Sequence, residues 1–345
     1  MSDTEKSNTE NYLLKKLSES GFHGGDKLGE DLGISRVAIS KHMSSLRGKG
    51  LPLISVPGKG YCLEDGVELL HPQKILDAVN QKRIHHITEI HIHQQLDSTN
   101  QWLLEQAFVE NRASVCLAES QLAGRGRRDR QWHSSPYRNL MYSLSWRFSN
   151  WPSSLSAVSL LAGLVVAEAL EISGVPDVQI KWPNDIYLNG KKLGGLLVSA
   201  KGEASGACDL VVGVGINHHI LPAEGSAIDQ EWIDLSSQKL SVNRNQLTAL
   251  ITEGFIDLLP EFEQKGFAPF RDAWNTRCIF LDQKVRLFKG MEDSSTEENT
   301  DELIGICRGV DNEGVLQIEK DDGSISSVRD ADLSMRALSD STNAN

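Results

Sequence analysis

The order of apolar and polar positions divides this chain into three segments. In the first, Asn11 to Leu17 has helical spacing, which Gly24-Gly25 breaks. Lys27 to Leu32 predicts a short second helix that ends at Gly33. Ser35 is an N-cap candidate for a third helix over Arg36 to Arg47, with Val37, Ile39, Met43 and Leu46 expected to face inward. Two short helices joined through Leu32-Gly33-Ile34-Ser35 predict a helix-turn-helix. Leu53 to Val56, the Pro57 to Gly60 turn and Tyr61 to Leu63 predict a small hairpin wing. His71-Pro72 to Val79 reads as a linker and short helix. In the second segment, Ser114 to Glu119 is extended, and Asp209 to Asn217 reads as a buried strand. Asn245 to Gln264 has one apolar helical face. The longest apolar run, Leu155 to Ile172, carries Glu168, several serines and no flanking Lys/Arg cluster, so a core helix is expected rather than a membrane span. After Cys278, short strands near 284–288, 302–310, 315–319 and 326–329 predict a small barrel. The acidic stretch Met291 to Asp301 is expected to be a floppy loop, and the chain after Ala337 a disordered tail.

A length of 345 residues allows two or three domains, and 39% hydrophobic residues permit a proper core. The net charge of −12 means that any nucleic-acid contact must be local. Such a patch exists. From Ser35 to Gly60 there is no Asp or Glu, while Arg36, Lys41, His42, Arg47, Lys49 and Lys59 all fall there. An acid-free basic helix and wing predict a DNA-contacting face, with Ser35, Arg36, Ser40, Lys41, Arg47 and Lys59 as candidate contacts. A winged helix used for protein contacts or packing is the alternative. The five cysteines are scattered without a C-x-x-C pair, which suits a reducing cytosol. The polar, acidic start is not that of a signal peptide, so a cytoplasmic protein is expected. His91 and His93 share a strand face, but no ligand at a telling spacing joins them, so no metal site is expected.

Two stretches carry chemistry. In Lys181-Trp-Pro-Asn-Asp185 and the residues after it, Asn189-Gly190 predicts a type I′ hairpin turn. Such a turn pairs Leu188 with Lys191 and Tyr187 with Lys192, and puts Asp185 diagonal to Lys192, Cβ atoms roughly 7–8 Å apart. Gly194 and Gly195 then leave bare backbone that a ligand can approach, as do Gly213 and Gly215. A surface salt bridge on an edge hairpin is the other reading. Gly124-Arg-Gly-Arg-Arg-Asp-Arg130 combines two glycines with four arginines. It fits a disordered nucleic-acid-binding loop, a phosphate-cradling loop or a solvated turn, but neither a Walker loop nor a G-x-G-x-x-G loop. Ser98 or Thr99 caps a helix whose start is a site for an anion or polar ligand. A basic glycine loop beside a Lys/Asp hairpin suggests a small acid being joined to a nucleotide.

Gly124-Arg-Gly-Arg-Arg, Lys181-Trp-Pro-Asn-Asp and Gly215-Ile-Asn together resemble the biotin–protein ligases that double as biotin-operon repressors. The likeness spans nearly the whole chain, and the 25–44 segment resembles the helix-turn-helix that single-function ligases lack. It implies an α+β architecture: a winged helix-turn-helix over 1–70, a mixed α/β core of the class II biotin/lipoate synthetase type over 71–277, an SH3-like β-barrel over 278–338, and a disordered tail over 339–345. It implies that ATP with Mg²⁺ activates biotin as biotinyl-5′-AMP, and that a lysine of the biotin carboxyl carrier protein of acetyl-CoA carboxylase takes the biotin. The adenylate-loaded homodimer would bind operator DNA, with the adenylate as corepressor and no membrane involved.

The resemblance also implies roles. Ser98, Thr99, Asn100 and Gln121 match biotin contacts, and Arg125, Gly126 and Arg127 match a loop ordering over the ligand. Lys192 matches the lysine at the carboxylate and α-phosphate, Asp185 a carboxylate at the reacting centre, and Arg127 joins them as a catalytic candidate. Trp132, Asn184, Lys181 and Asn217 match nucleotide contacts, with Mg²⁺ held mainly through ATP and no protein metal site. Asp129 departs from the family, whose loop usually has glycine there; its carboxylate would pre-order the loop through Arg128 or Arg130, or weaken anion capture. A biotin- or acyl-sensing transcription factor with a non-catalytic core and a lipoate-type ligase are the competing readings.

Overall fold

The computed structural model describes residues 3–152, 154–202, 206–288, 302–329 and 333–338. The expected floppy loop at 291–301 and the tail at 339–345 lie outside them. Helices α1 (Asp3–Leu17), α2 (Gly25–Leu32) and α3 (Arg36–Gly48) precede a hairpin of β1 (Leu53–Val56) and β2 (Gly60–Leu63). Gly33 ends α2 in the left-handed region at φ 66°, and the Ser35 side chain accepts the Ala38 N–H at 3.2 Å to start α3. Leu13, Leu17, Leu28, Ile39, Met43 and Leu46 fill the core of this unit. Val37 does not: it is 66% exposed, and the half-turn between 37 and 39 places it opposite the buried stripe. His42 is buried instead.

One side chain in that core comes from far along the sequence. Tyr137 is 1% exposed among the winged-helix residues, and its φ is 61°, unusual for a non-glycine residue. Next to it, Arg138 pairs with Glu64, and Pro136 packs on Gly50.

The central unit contains α4 (Pro72–Ala78), β3 (Ile87–His93), α5 (Thr99–Leu104), β4 (Ala113–Ala118), β5 (Leu140–Phe148) and α6 (Leu155–Ile172). The hairpin strands β6 (Gln179–Lys181), β7 (Asp185–Leu188), β8 (Lys191–Gly202) and β9 (Cys208–Ile216) follow. Then come α7 (Pro222–Gly225), α8 (Arg244–Lys265) and α9 (Arg271–Arg277). The seven strands order as β3-β4-β5-β9-β8-β7-β6, parallel only at β3–β4. Strand alternation gives the sheet two different faces. Leu140, Tyr142, Leu144 and Trp146 of β5 join the main core with α6 and α8. On the other face, Leu103 of α5 covers Cys116 and Val211. The run Leu155–Ile172 is long and apolar enough to cross a membrane by composition, but 72% of it is buried in this core.

Charge is buried where the units join. Arg244 and Glu119 pair at 2.8 Å with side chains 2% and 5% exposed, and Arg244 also donates to the backbone oxygens of Asn139 and Glu68. Glu119 accepts the Leu70 N–H at 2.8 Å as well, so one pair fixes the linker to the sheet. Each charge is satisfied, as burial at that depth requires.

Strands β10 (Lys284–Phe288), β11 (Leu303–Val310), β12 (Leu316–Glu319), β13 (Ile325–Val328) and β14 (Ser334–Ala337) form an antiparallel sheet in the order β13-β12-β11-β10-β14. The sequence pattern missed β14. Val285, Leu287, Cys307, Leu316 and Met335 continue the main core, so this sheet packs directly on the central unit.

Candidate active site

Every residue singled out for biotin, nucleotide or catalysis lines one cavity of about 710 Å³ on the α5 face of the sheet. Its floor is made of small residues: Ser143, Gly195, Gly213 and Gly215. One end is fixed by the start of α5. The Ser98 side chain caps that helix, accepting the Gln101 N–H at 3.4 Å. Thr99 donates its N–H and hydroxyl to Gln121 Oε1 at 2.8 and 3.1 Å, and Asn100 donates to the Leu197 carbonyl at 3.3 Å. All three are buried, so these side chains have little freedom to rearrange. Gln121 and Ser98 take two of the first free helix amides, which leaves fewer for an anion than the capping pattern alone suggested.

The hairpin supplies the charges. Asn189 and Gly190 have φ of 50° and 74°, as a type I′ turn requires, and the pairs Leu188–Lys191 and Tyr187–Lys192 form. Beyond them the register shifts, and Ile186 pairs with Gly194 rather than Leu193. The extra residue is a β-bulge at the fully buried Leu193, and it sets Gly194 opposite Ile186 and Gly195 opposite Asp185. Lys192 Nζ lies 2.8 Å from Asp185 Oδ1, with side chains 15% and 18% exposed. This is a half-buried pair inside the cavity, not a solvated surface bridge.

Lys181 donates to the Tyr187 hydroxyl at 3.2 Å and lies 5.7 Å from the Phe280 ring centroid. Burial, reinforced by Asp185, pushes the Tyr187 phenol well above its ordinary range, so it stays protonated. Asn184 Nδ2 donates to the Leu196 carbonyl at 2.8 Å, and its Oδ1 accepts from Arg127 at 3.2 Å. Asn217 donates to the carbonyls of Ile233 and Lys192 at 3.2 and 3.4 Å. Its Oδ1 is buried with no partner, an acceptor left for something the cavity takes up.

The glycine–arginine loop closes on itself. Trp132 N–H donates to the Gly124 carbonyl at 2.8 Å, and Gly126 N–H to the Arg130 carbonyl at 2.7 Å. The left-handed residue is Arg128 at φ 57°, rather than Asp129, whose side chain lies outside the described ones. Arg128 reaches Ser334 Oγ of β14 at 3.4 Å, so loop and C-terminal sheet meet at the rim.

The bare glycine backbone is covered in this state by Trp132. A β-carbon at Gly215 would sit 2.6 Å from the indole Cε2, and one at Gly195 would sit 3.2 Å from Cζ3. Lys192 Nζ lies 5.9 Å from the ring centroid. The glycines therefore accept a flat aromatic ring. Their open space is not standing ready for a ligand.

Sequence reasoning missed part of the lining. Ile228, Asp229 and Trp232 come from the segment after α7, and Ser334, Met335 and Arg336 from β14. Neither segment carries a motif. Arg336 adds a cation from the third unit, which also contributes Phe288 and Leu333 to a cavity built mainly by the second.

Among the described residues, no group of three or more His, Cys, Asp and Glu could hold a metal ion. His91 and His93 instead flank Trp102, with ring centroids 4.6 and 4.8 Å away. The candidate DNA contacts form a separate surface: Ser35, Arg36, Ser40, Lys41, Arg47 and Lys59 are all exposed. Arg36 faces Asp26 at 3.4 Å, Arg47 donates to the Leu53 carbonyl, and Lys59 lies over Phe22.

Comparison with known proteins finds relatives for both the N-terminal and the central unit. Residues 92–217 match the biotin/lipoate A/B protein ligase family, and residues 9–62 match an HTH domain. The chain is 37% identical over 325 residues to the bifunctional ligase/repressor BirA of Escherichia coli (strain K12), covering 94% of this chain and 96% of that one. Its identity to the protein of the same name from Bacillus subtilis (strain 168) is 29% over 337 residues, covering 94% and 97%. The fold is similar to the solved biotin protein ligase from Aquifex aeolicus in complex with biotin and ATP. The TM-score is 0.59 at 24% identity, covering 73% of this chain and all of that one (100%).

Proposed function

The chain belongs to the bifunctional ligase/repressor family, and from that premise we infer that it is an ATP-dependent biotin–protein ligase and a DNA-binding repressor. The observation that carries the ligase reading is the Lys192–Asp185 pair at 2.8 Å, set inside a cavity with a fixed polar end at Thr99 and Gln121.

In the first half-reaction the biotin carboxylate attacks the α-phosphorus of ATP, and pyrophosphate leaves. Two anions must approach, so a cation beside the reacting oxygens lowers the barrier as charge redistributes. Lys192 has that role, with Arg127 from the loop. In the second half-reaction a carrier lysine must attack as a neutral amine. Asp185 then orients the amine or takes its proton as AMP leaves. The Ser98–Asn100 end and Gln121 suit the polar ring of biotin. The ring of Trp132, moved from its glycine floor, suits adenine.

Asn217 Oδ1, lacking a partner, and the carboxylates of Asp185 and Asp229 are cavity-lining oxygens that would serve Mg²⁺. So few fit an ion that arrives on ATP phosphates rather than one held in a protein cage. When bound, Mg²⁺ shields the charge of the departing pyrophosphate. Arg125, Gly126 and Arg127 form the rim that closes over the adenylate, and Lys181 and Asn184 stand behind it.

The modules are taken as 1–70, 71–277 and 278–338, with the last an SH3-like barrel on the core. The partners are the biotin carboxyl carrier protein of acetyl-CoA carboxylase, operator DNA, and a second copy of the loaded chain. The adenylate is the corepressor. Five unbonded cysteines suit the cytoplasm. The test uses purified protein with labelled biotin and Mg-ATP. Label should pass to a lysine of the carrier domain, and DNA should be retained only when biotin and ATP are both present. Label that never leaves the protein, or DNA retention indifferent to biotin, would count against the respective half of the reading.

A further inference from the structure

Val37 lies on the outer face of α3, where its neighbours are polar or basic. It is 66% exposed, more than most large apolar side chains of the protein, although Ile39 and Met43 a few residues on are buried. Packing does not account for it, since the winged-helix core is filled without it. Helical spacing aligns it with the exposed Ser40, Lys41 and Ser44 in one stripe. Arg36 stands beside it with its side chain 68% exposed, and no carboxylate occurs between 35 and 60.

That surface complements a polyanion, yet Val37 has no donor for a phosphate. Phosphate contacts position a protein on DNA, whereas contacts to base edges select sequence. In a helix-turn-helix the N-terminal residues of the second helix reach those edges in the major groove. The apolar group displayed there is the C5-methyl of thymine. Resting on the repressor reading above, we propose that Val37 is a specificity-determining residue that packs on a thymine methyl in each half of the operator. Ser40 and Lys41, one turn on, face neighbouring base edges or phosphates. Substitution at 37 therefore changes sequence preference without changing the sequence-independent affinity.

The experiment uses the full chain loaded with biotin and Mg-ATP. A pool of randomised duplexes is bound, and a recovered duplex is resynthesised with each thymine in turn replaced by uracil. Uracil keeps the hydrogen-bonding edge and lacks only the methyl. For the native protein, one replacement per half-site should weaken binding about three- to fivefold, the scale of one buried methyl group. Val37→Ser should bind the thymine and uracil duplexes alike, with unchanged affinity for a duplex of unrelated sequence. A native protein indifferent to every replacement would overturn the proposal. So would equal sensitivity of the native and Val37→Ser proteins at every position. If the loaded protein enriches no sequence from the pool, the repressor reading itself fails, and the role of Val37 with it.

Discussion

Replacing Lys192 by alanine tests whether the half-buried ion pair is chemical machinery or a structural tie. A full charge about 4 Å from another is worth about 4 kcal/mol at an effective permittivity near 20. Much of this acts equally on bound biotin and ATP, which are already anionic, and so leaves the barrier unchanged. If roughly a third of it is specific to the transition state, the loss is at least about 1.4 kcal/mol, or more than tenfold in rate. The substitution also leaves Asp185 without its partner at 2.8 Å. Lys192→Ala, Asp185→Asn and the double variant therefore form a cycle that separates lost cation from orphaned carboxylate. The assay is single-turnover formation of biotinyl-5′-AMP at saturating biotin and Mg-ATP. An unchanged rate in Lys192→Ala would refute the role. Full recovery in the double variant would show that the carboxylate alone caused the defect.

Other expectations follow from the same geometry. Asp185→Asn should slow transfer from preformed adenylate to the carrier lysine by about 10²-fold or more, with a smaller effect on adenylation; equal losses in both steps would contradict a proton role. Tyr137→Ala removes a side chain 1% exposed in the winged-helix core, so about 3 kcal/mol of local stability should be lost. Amide exchange in α1–α3 should then quicken by roughly two orders of magnitude, and unchanged protection would show that the contact is incidental. Burial, with Lys74 and Lys15, holds the His71 imidazole below its ordinary 6.5, and its Nδ1 accepts the Gln73 N–H at the start of α4. The unfolded chain binds that proton more readily, so this stabilisation is present above pH 6.5 and lost as the pH falls from there towards the folded value. His71→Asn keeps a cap and should flatten stability in that window; an unchanged profile would refute the assignment. Asp129→Gly should alter the lifetime of the bound adenylate, and identical dissociation rates would remove the idea.

Local chemistry explains what was legible in the sequence. Asn189-Gly190 requires two left-handed residues, and this fixed the hairpin and the meeting of Lys192 with Asp185. The bulge at Leu193 was not legible, because a turn sets only the first pairs, and nothing in the local pattern marks the shift that places Gly194 and Gly195 opposite Ile186 and Asp185. Val37 was misplaced because a helical pattern admits several faces, and Ile39, Met43 and Leu46, spaced by four and three, define the buried one. Strand β14 buries only Met335 and reads as polar in isolation, yet it brings Arg336 to the cavity. The Arg244–Glu119 pair and the seat of Trp132 on Gly215 join residues far apart in the chain. Neither partner alone signals such a contact.

The central claim is that this cavity joins biotin to a nucleotide. Its most direct test is pyrophosphate release from Mg-ATP by the purified protein, with biotin as substrate and lipoate and octanoate as controls. Release with biotin alone is the predicted result. Folded protein that releases none with biotin would contradict the ligase account and favour a biotin-sensing repressor whose core no longer catalyses.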